Sequence, residues 1–75
     1  MINLELNLVR SFVAIAEVKS FTRAGERLGR SQSAISLQIR RLEDQIGVRL
    51  LSRDPRHVVL TADGEAFLPQ ARRLL

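Results

Sequence analysis

A chain of 75 residues makes one small domain, able to bury only about 60% of the surface its unfolded form exposes, and this excludes a large internal substrate cavity. It has no cysteine, hence no disulfide framework and no thiolate metal site, and its 45% apolar and 27% charged residues are a globular balance, not a disordered one. Eleven arginines and one lysine against eight acids give a net charge of +4, which favours a polyanion as partner.

Leu6, Val9, Phe12, Val13 and Ala16 recur in steps of three and four and predict a first helix from Asn3 to about Val18. Asn3 is suited to cap it and Glu5 to its positive end. Ser20-Phe21-Thr22 interrupts the period, and Thr22 is the expected N-cap of a short second helix that turns Ala24 and Leu28 inward and stops at Gly29. Ser31 or Ser33 opens a third helix, in which Ile35, Ile39, Leu42 and Ile46 fall at i, i+4, i+7 and i+11 before Gly47. That stripe faces a core, so the opposite face is free. Val48 to Leu51 and His57 to Leu60 are short apolar runs on either side of Arg53-Asp54-Pro55-Arg56, and predict a two-stranded hairpin with a basic tip. Thr61 caps a last helix with Asp63 and Glu65 in its first turn, running through Phe67, Ala71 and Leu74, with Pro69 inside it.

The charge is local. Residues 1–20, 43–56 and 57–75 each sum to zero, while residues 21–42 carry Arg23, Arg27, Arg30, Arg40 and Arg41 against Glu26 alone, which is the whole +4. Phe12 to Ala16 is far short of the roughly 18 apolar residues a membrane span needs, and the start lacks a basic leader. A soluble cytoplasmic protein with no membrane partner is expected.

Helix, helix, turn, helix, hairpin, helix is the element order of a winged helix-turn-helix. Phe12-Val-Ala-Ile-Ala-Glu17, Ser20-Phe21-Thr22 with Ala24, Leu28, Ser31-Gln32-Ser33-Ala34-Ile35-Ser36, Gln38-Ile39, Leu42-Glu43, Gly47, Leu50, Arg53 and Leu60-Thr61 with Gly64 occur in an order and spacing that resembles the N-terminal DNA-binding domain of LysR-type transcriptional regulators along almost the whole chain. The sequence departs from the usual family pattern at Lys19, commonly glycine, at Gly25, usually alanine, at Ser33, commonly proline, and at Leu51, often phenylalanine. The resemblance implies a mostly α winged helix-turn-helix, with a three-helix core, a two-stranded wing and a linker helix. Residues 1–60 would be the DNA-binding domain and 61–75 the start of a dimerising linker helix. An effector-binding domain of periplasmic-binding-protein type is expected beyond Leu75, and any effector ligand with it. The expected whole is a bacterial regulator associated with the nucleoid through DNA.

In such a motif the N-terminal part of the second helix, here about residues 32–46, meets base edges in the major groove of double-stranded DNA. Gln32 has an amide fork for adenine N6 and N7, and Ser33 and Ser36 donate or accept. Leu37 offers an apolar contact to a thymine methyl, a packing role beside the phosphates, or plain packing on a neighbouring side chain. Ser31 suits a cap as well as a backbone contact. Thr22, Arg23, Arg30 and Arg40 are candidates for the DNA backbone, and Arg53 and Arg56 for a wing of about residues 51–60 on the adjacent backbone or minor groove. Arg53 is the position the resemblance gives to the family's wing arginine. Arg27, Arg41, Arg72 and Arg73 read as ordinary helix-surface charges, with Arg41 placed to pair with Glu43, Asp44 or another neighbour.

Phe67, Ala71 and Leu74 have the spacing of a coiled-coil seam, and the resemblance implies a homodimer through this helix; the same spacing also suits packing on the first helix. A winged-helix module that binds protein instead of DNA is the competing reading, against which the placement of the charge argues. Three phenylalanines and no Trp or Tyr leave no stacking platform for single strands. His57 is the only histidine, so no metal site is recognisable, and neither a cofactor nor a catalytic constellation is expected.

Overall fold

Phe12 to Ala16 is an unbroken apolar run, and the helix that contains it becomes the axis of the molecule. The computed structural model describes residues 5–52 and 57–75. Among these are four helices: α1 Leu6–Val18, α2 Phe21–Leu28, α3 Gln32–Ile46 and α4 Ala62–Leu74. Helix α1 packs against all three others, so Leu8, Val9 and every residue from Ser11 to Ala16 is buried, a wider face than one helical stripe. Leu6, expected on that stripe, is instead 50% exposed, at the first residue of the helix. Asn3 lies outside the described residues. The N-cap position belongs to Glu5, whose side chain makes no capping bond.

Phe12, Ile15, Ile35, Leu42, Leu50 and Val9 are the large, fully buried side chains at the centre. Of the predicted α3 stripe, Ile35, Ile39 and Leu42 are buried and Ile46 packs at the margin. The Ser11 hydroxyl, itself buried, lies within hydrogen-bond reach of both the Asn7 carbonyl and the Gln38 side-chain oxygen, and so ties the flank of α3 to α1. These contacts fix which face of α3 turns outward.

Local capping sets the boundaries. Ser20, not Thr22, caps α2: its hydroxyl accepts from the Arg23 N–H at 3.1 Å, while Thr22 lies inside the first turn. The Ser31 hydroxyl accepts from Ala34 N–H and starts α3 at Gln32, and the Thr61 hydroxyl accepts from Gly64 N–H and starts α4. Gly29 and Gly47 end α2 and α3 with positive φ as expected. Lys19 ends α1 with φ 53°, the one positive-φ residue other than glycine among the described residues.

The hairpin is reduced. Among the described residues its pairing is one antiparallel bridge, Leu51 with Leu60, with the Ser52 N–H donating to the Val59 carbonyl. Beside this bridge, one Glu43 carboxylate oxygen takes the N–H groups of Leu50 and Leu51 at 2.8 and 3.2 Å. Both backbone donors are thereby satisfied from α3. The tip, Arg53 to Arg56, lies outside the described residues.

Helix α4 continues through Pro69, which sits on an exposed face where water can reach the carbonyl it leaves unpaired. Its predicted seam turns inward. The Phe67 ring stacks obliquely on Phe12 with centroids 5.6 Å apart, and Ala71 is fully buried, so both belong to this chain's own core. Leu74 alone of the three is exposed, at 47%. Gly64 lies so close to the Leu50 carbonyl that a Cβ there would collide with it, and the bare Cα is what lets α4 dock.

Candidate nucleic-acid interface

At about 100° per residue, Ser33, Ser36, Leu37 and Arg40 lie on the side of α3 away from Ile35, Ile39 and Leu42. Gln32, Ser33, Leu37 and Arg40 are exposed and Ser36 is half-buried, and the five together line one shallow depression. Leu37 is 51% exposed, so about half of its surface is left open to solvent. It lies nearly opposite the centre of the buried stripe, and its exposed half is available to a partner from outside.

The turn between α2 and α3 brings a second set alongside. The Thr22 hydroxyl lies 3.4 Å from the Gln32 side-chain oxygen, so the first turn of α2 meets the first turn of α3. A Gln32 amide whose oxygen faces Thr22 has its NH2 free for another acceptor. Arg23, Arg30 and Ser31 are also exposed, and Ser31 acts as the α3 cap. The Arg30 N–H closes the turn on the Gly25 carbonyl at 2.8 Å. Gly25 is where a Cβ would collide with the Arg30 carbonyl, which gives this glycine a packing role in the turn. Arg53 and Arg56 lie outside the described residues.

The ion pairs sort the arginines. Among the described residues these pairs are Arg27 with Glu17 at 2.7 Å and Arg72 with Glu17 at 3.9 Å, which join α2 and α4 to the end of α1. Arg27 is therefore partly neutralised in place. The pairing foreseen for Arg41 is not formed with Glu43, whose carboxylate is engaged by the Leu50 and Leu51 backbone. That role of Glu43 is not foreseen from the sequence. The signal available was an acid closing the α3 core stripe just before an apolar strand, which is too general to name its partner.

A larger open groove runs between α3 and the strand segment, lined among others by Ser36, Arg40, Asp44, Arg49 and Ser52. It extends the α3 surface toward Leu51 and Ser52. Its mixture of cations, acids and hydroxyls resembles a polar surface more than an enclosed ligand site. Among the described residues no group of three or more His, Asp or Glu is arranged to hold a metal. Among them, too, no helix is long and apolar enough to cross a membrane.

The family model described as bacterial regulatory helix-turn-helix protein, lysR family, matches residues 6–65. The chain is 52% identical over 73 residues to the HTH-type transcriptional regulator DgdR of Burkholderia cepacia, and 53% identical over 72 residues to the Hca operon transcriptional activator HcaR of Escherichia coli (strain K12). Those stretches are 97% and 96% of this chain but 25% and 24% of the two relatives, so the chain spans about a quarter of their length. Among solved structures it is similar to the CbnR DNA-binding domain in complex with DNA, with a TM-score of 0.89 at 42% identity over 95% of this chain and 82% of that one.

Proposed function

The chain belongs to the LysR family of bacterial regulatory helix-turn-helix proteins, and from that premise we propose that it is the DNA-reading domain of a transcriptional regulator, binding double-stranded DNA in a sequence-specific way. The observation that carries the reading is the outward face of α3. It presents Gln32, Ser33, Ser36, Leu37 and Arg40 within the one segment that holds the chain's entire net charge. An α-helix fits a major groove about 12 Å wide, and polar side chains at its N-terminal end reach base edges there. The similar CbnR domain was solved as a complex with DNA, which supports DNA as the partner of the corresponding surface in this chain.

The roles divide by chemistry. Gln32, Ser33, Ser36 and Leu37 read bases, because they lie at the N-terminal end of the exposed face. Thr22, Arg23, Arg30, Ser31 and Arg40 hold the phosphates on either side and set the register, with Thr22 also orienting Gln32. Arg53 and Arg56 bring the wing, about residues 51–60, onto the adjacent backbone or minor groove; support for these two is the sequence pattern alone. Binding needs no cofactor, and no catalytic step is assigned.

The functional form is a homodimer through α4, with Leu74 rather than Phe67 or Ala71 available to a second copy. Two domains held this way read two half-sites on one face of the duplex. The relatives are about four times longer, so effector sensing belongs to a further domain of the whole protein. The protein acts in the bacterial cytoplasm, where its DNA lies.

In vitro selection of bound duplexes from a random pool tests the reading. The expected outcome is an enriched interrupted dyad. Recovery of unrelated sequences in proportion to their abundance would contradict it.

A further inference from the structure

Leu37 is the one large, substantially exposed apolar side chain on α3 among the described residues, and it projects from a face otherwise made of Gln32, Ser33, Ser36 and Arg40. A leucine left in water at the centre of a polar face gains nothing in the free protein. Burying apolar surface is favourable only when an apolar group covers it. In a major groove the C5-methyl of a pyrimidine is the apolar group that projects from the base edges, whose nitrogen and oxygen atoms are hydrogen-bond donors or acceptors. We propose that Leu37 makes this chain a reader of the pyrimidine C5-methyl at one position of each half-site. The inference rests on the DNA-reading function of the same face, and deepens it.

The geometry favours a base over a phosphate as the partner. Leu37 is one turn beyond Ser33 and lies almost diametrically opposite the buried stripe, so it occupies the part of the helix that enters deepest when α3 lies in the groove. Arg40, three residues further on the same side, is long enough to reach outward to the backbone, whereas a leucine has no group that a phosphate would bind. Two natural bases carry the methyl. Thymine presents it beside an O4 acceptor, and 5-methylcytosine presents it beside an N4 donor. Since Leu37 cannot distinguish acceptor from donor, its own contribution is the same for both, and the surrounding polar residues decide between them.

The test uses the selected operator duplex and measures affinity by fluorescence anisotropy at one salt concentration. Each thymine of a half-site is replaced in turn by deoxyuridine, which removes the methyl and leaves the hydrogen-bonding edge intact. One position per half-site is expected to lose about fourfold in affinity, the worth of one buried methyl-sized group. In the Leu37→Ala protein the same replacement is expected to change little. Cytosine against 5-methylcytosine at that position forms the second arm. A gain of about fourfold on methylation, absent in Leu37→Ala, supports methyl reading whatever base is preferred there. Leu37 is exposed, so the variant should fold, and an unchanged melting transition verifies this.

Operator preference with no sensitive position, or with a deoxyuridine loss that persists in full in Leu37→Ala, overturns the inference and leaves the DNA-reading function standing. No preference for operator over random duplex overturns both.

Discussion

Lys19 closes α1 with φ 53° and ψ 38°, a left-handed conformation that costs a side-chain-bearing residue about 1–2 kcal/mol, and glycine nothing steric. Part of that advantage is offset by the greater freedom of glycine in the unfolded chain. Lys19→Gly is therefore expected to stabilise the domain by up to about 1 kcal/mol, read as a melting temperature higher by a few degrees. A lower melting temperature would show that Lys19 makes a compensating contact. At the interface, Gln32→Ala should alter which base is preferred at one operator position, measured by repeating the selection with the variant. Equal weakening on operator and random DNA would remove Gln32 from the reading set. Thr22→Ala should act in the same direction but less, because it only frees the Gln32 amide to rotate. The cap at Thr61 was legible in the sequence, since a hydroxyl three residues before its N–H partner is a local pattern, whereas Ser31 and Ser33 were both open as the start of α3. Ser20 and Thr22 were not separable that way. Both are hydroxyls within one turn of the helix start, and the path of the chain out of Lys19 decides between them.

Among the elements, the join between α3 and the strand segment depends on Glu43. Its carboxylate satisfies two N–H groups of the buried residues Leu50 and Leu51, and Glu43→Ala leaves both without that acceptor. The expected loss is about 1–3 kcal/mol, measured by urea denaturation, with Glu43→Gln retaining a large part because its amide oxygen still accepts. Equal losses in the two variants would mean that charge, not the hydrogen bonds, holds the join. This contact was illegible in the sequence for a plain reason: the acid and the donors it satisfies are seven and eight residues apart on different elements, and no periodicity links them. The face of α4 was illegible for another reason. Phe67, Ala71 and Leu74 have a three-four spacing that suits a second copy and the chain's own α1 equally well, and only the Phe12 ring decides for the interior. The α3 stripe, by contrast, could be read at once, because four isoleucine or leucine side chains at i, i+4, i+7 and i+11 have one helical face to occupy.

At the scale of the molecule, the four small helices among the described residues, with a radius of gyration of 11.1 Å, offer surface rather than cavity, and the charge distribution says which surface matters. The net +4 lies between Phe21 and Leu42, and Glu17 pairs with Arg27 and Arg72 on the surface, where it offsets part of the arginine charge. Arg23, Arg30 and Arg40 are exposed around the reading face. Each arginine that displaces a counterion from a phosphate steepens the fall of affinity with salt by about one unit in the logarithmic slope. Arg53→Ala is expected to lower that slope by about one on operator and random duplex alike, and an unchanged slope would place the wing off the backbone. Whether the α3 face reads sequence is decided by a pair of titrations at the same salt, one with the selected dyad duplex and one with a scrambled duplex of equal length and composition. Binding to the dyad should be tighter by at least about a thousandfold in the dimeric protein. Equal affinities, falling together as salt rises, would reduce the interface to a basic surface with no reading function.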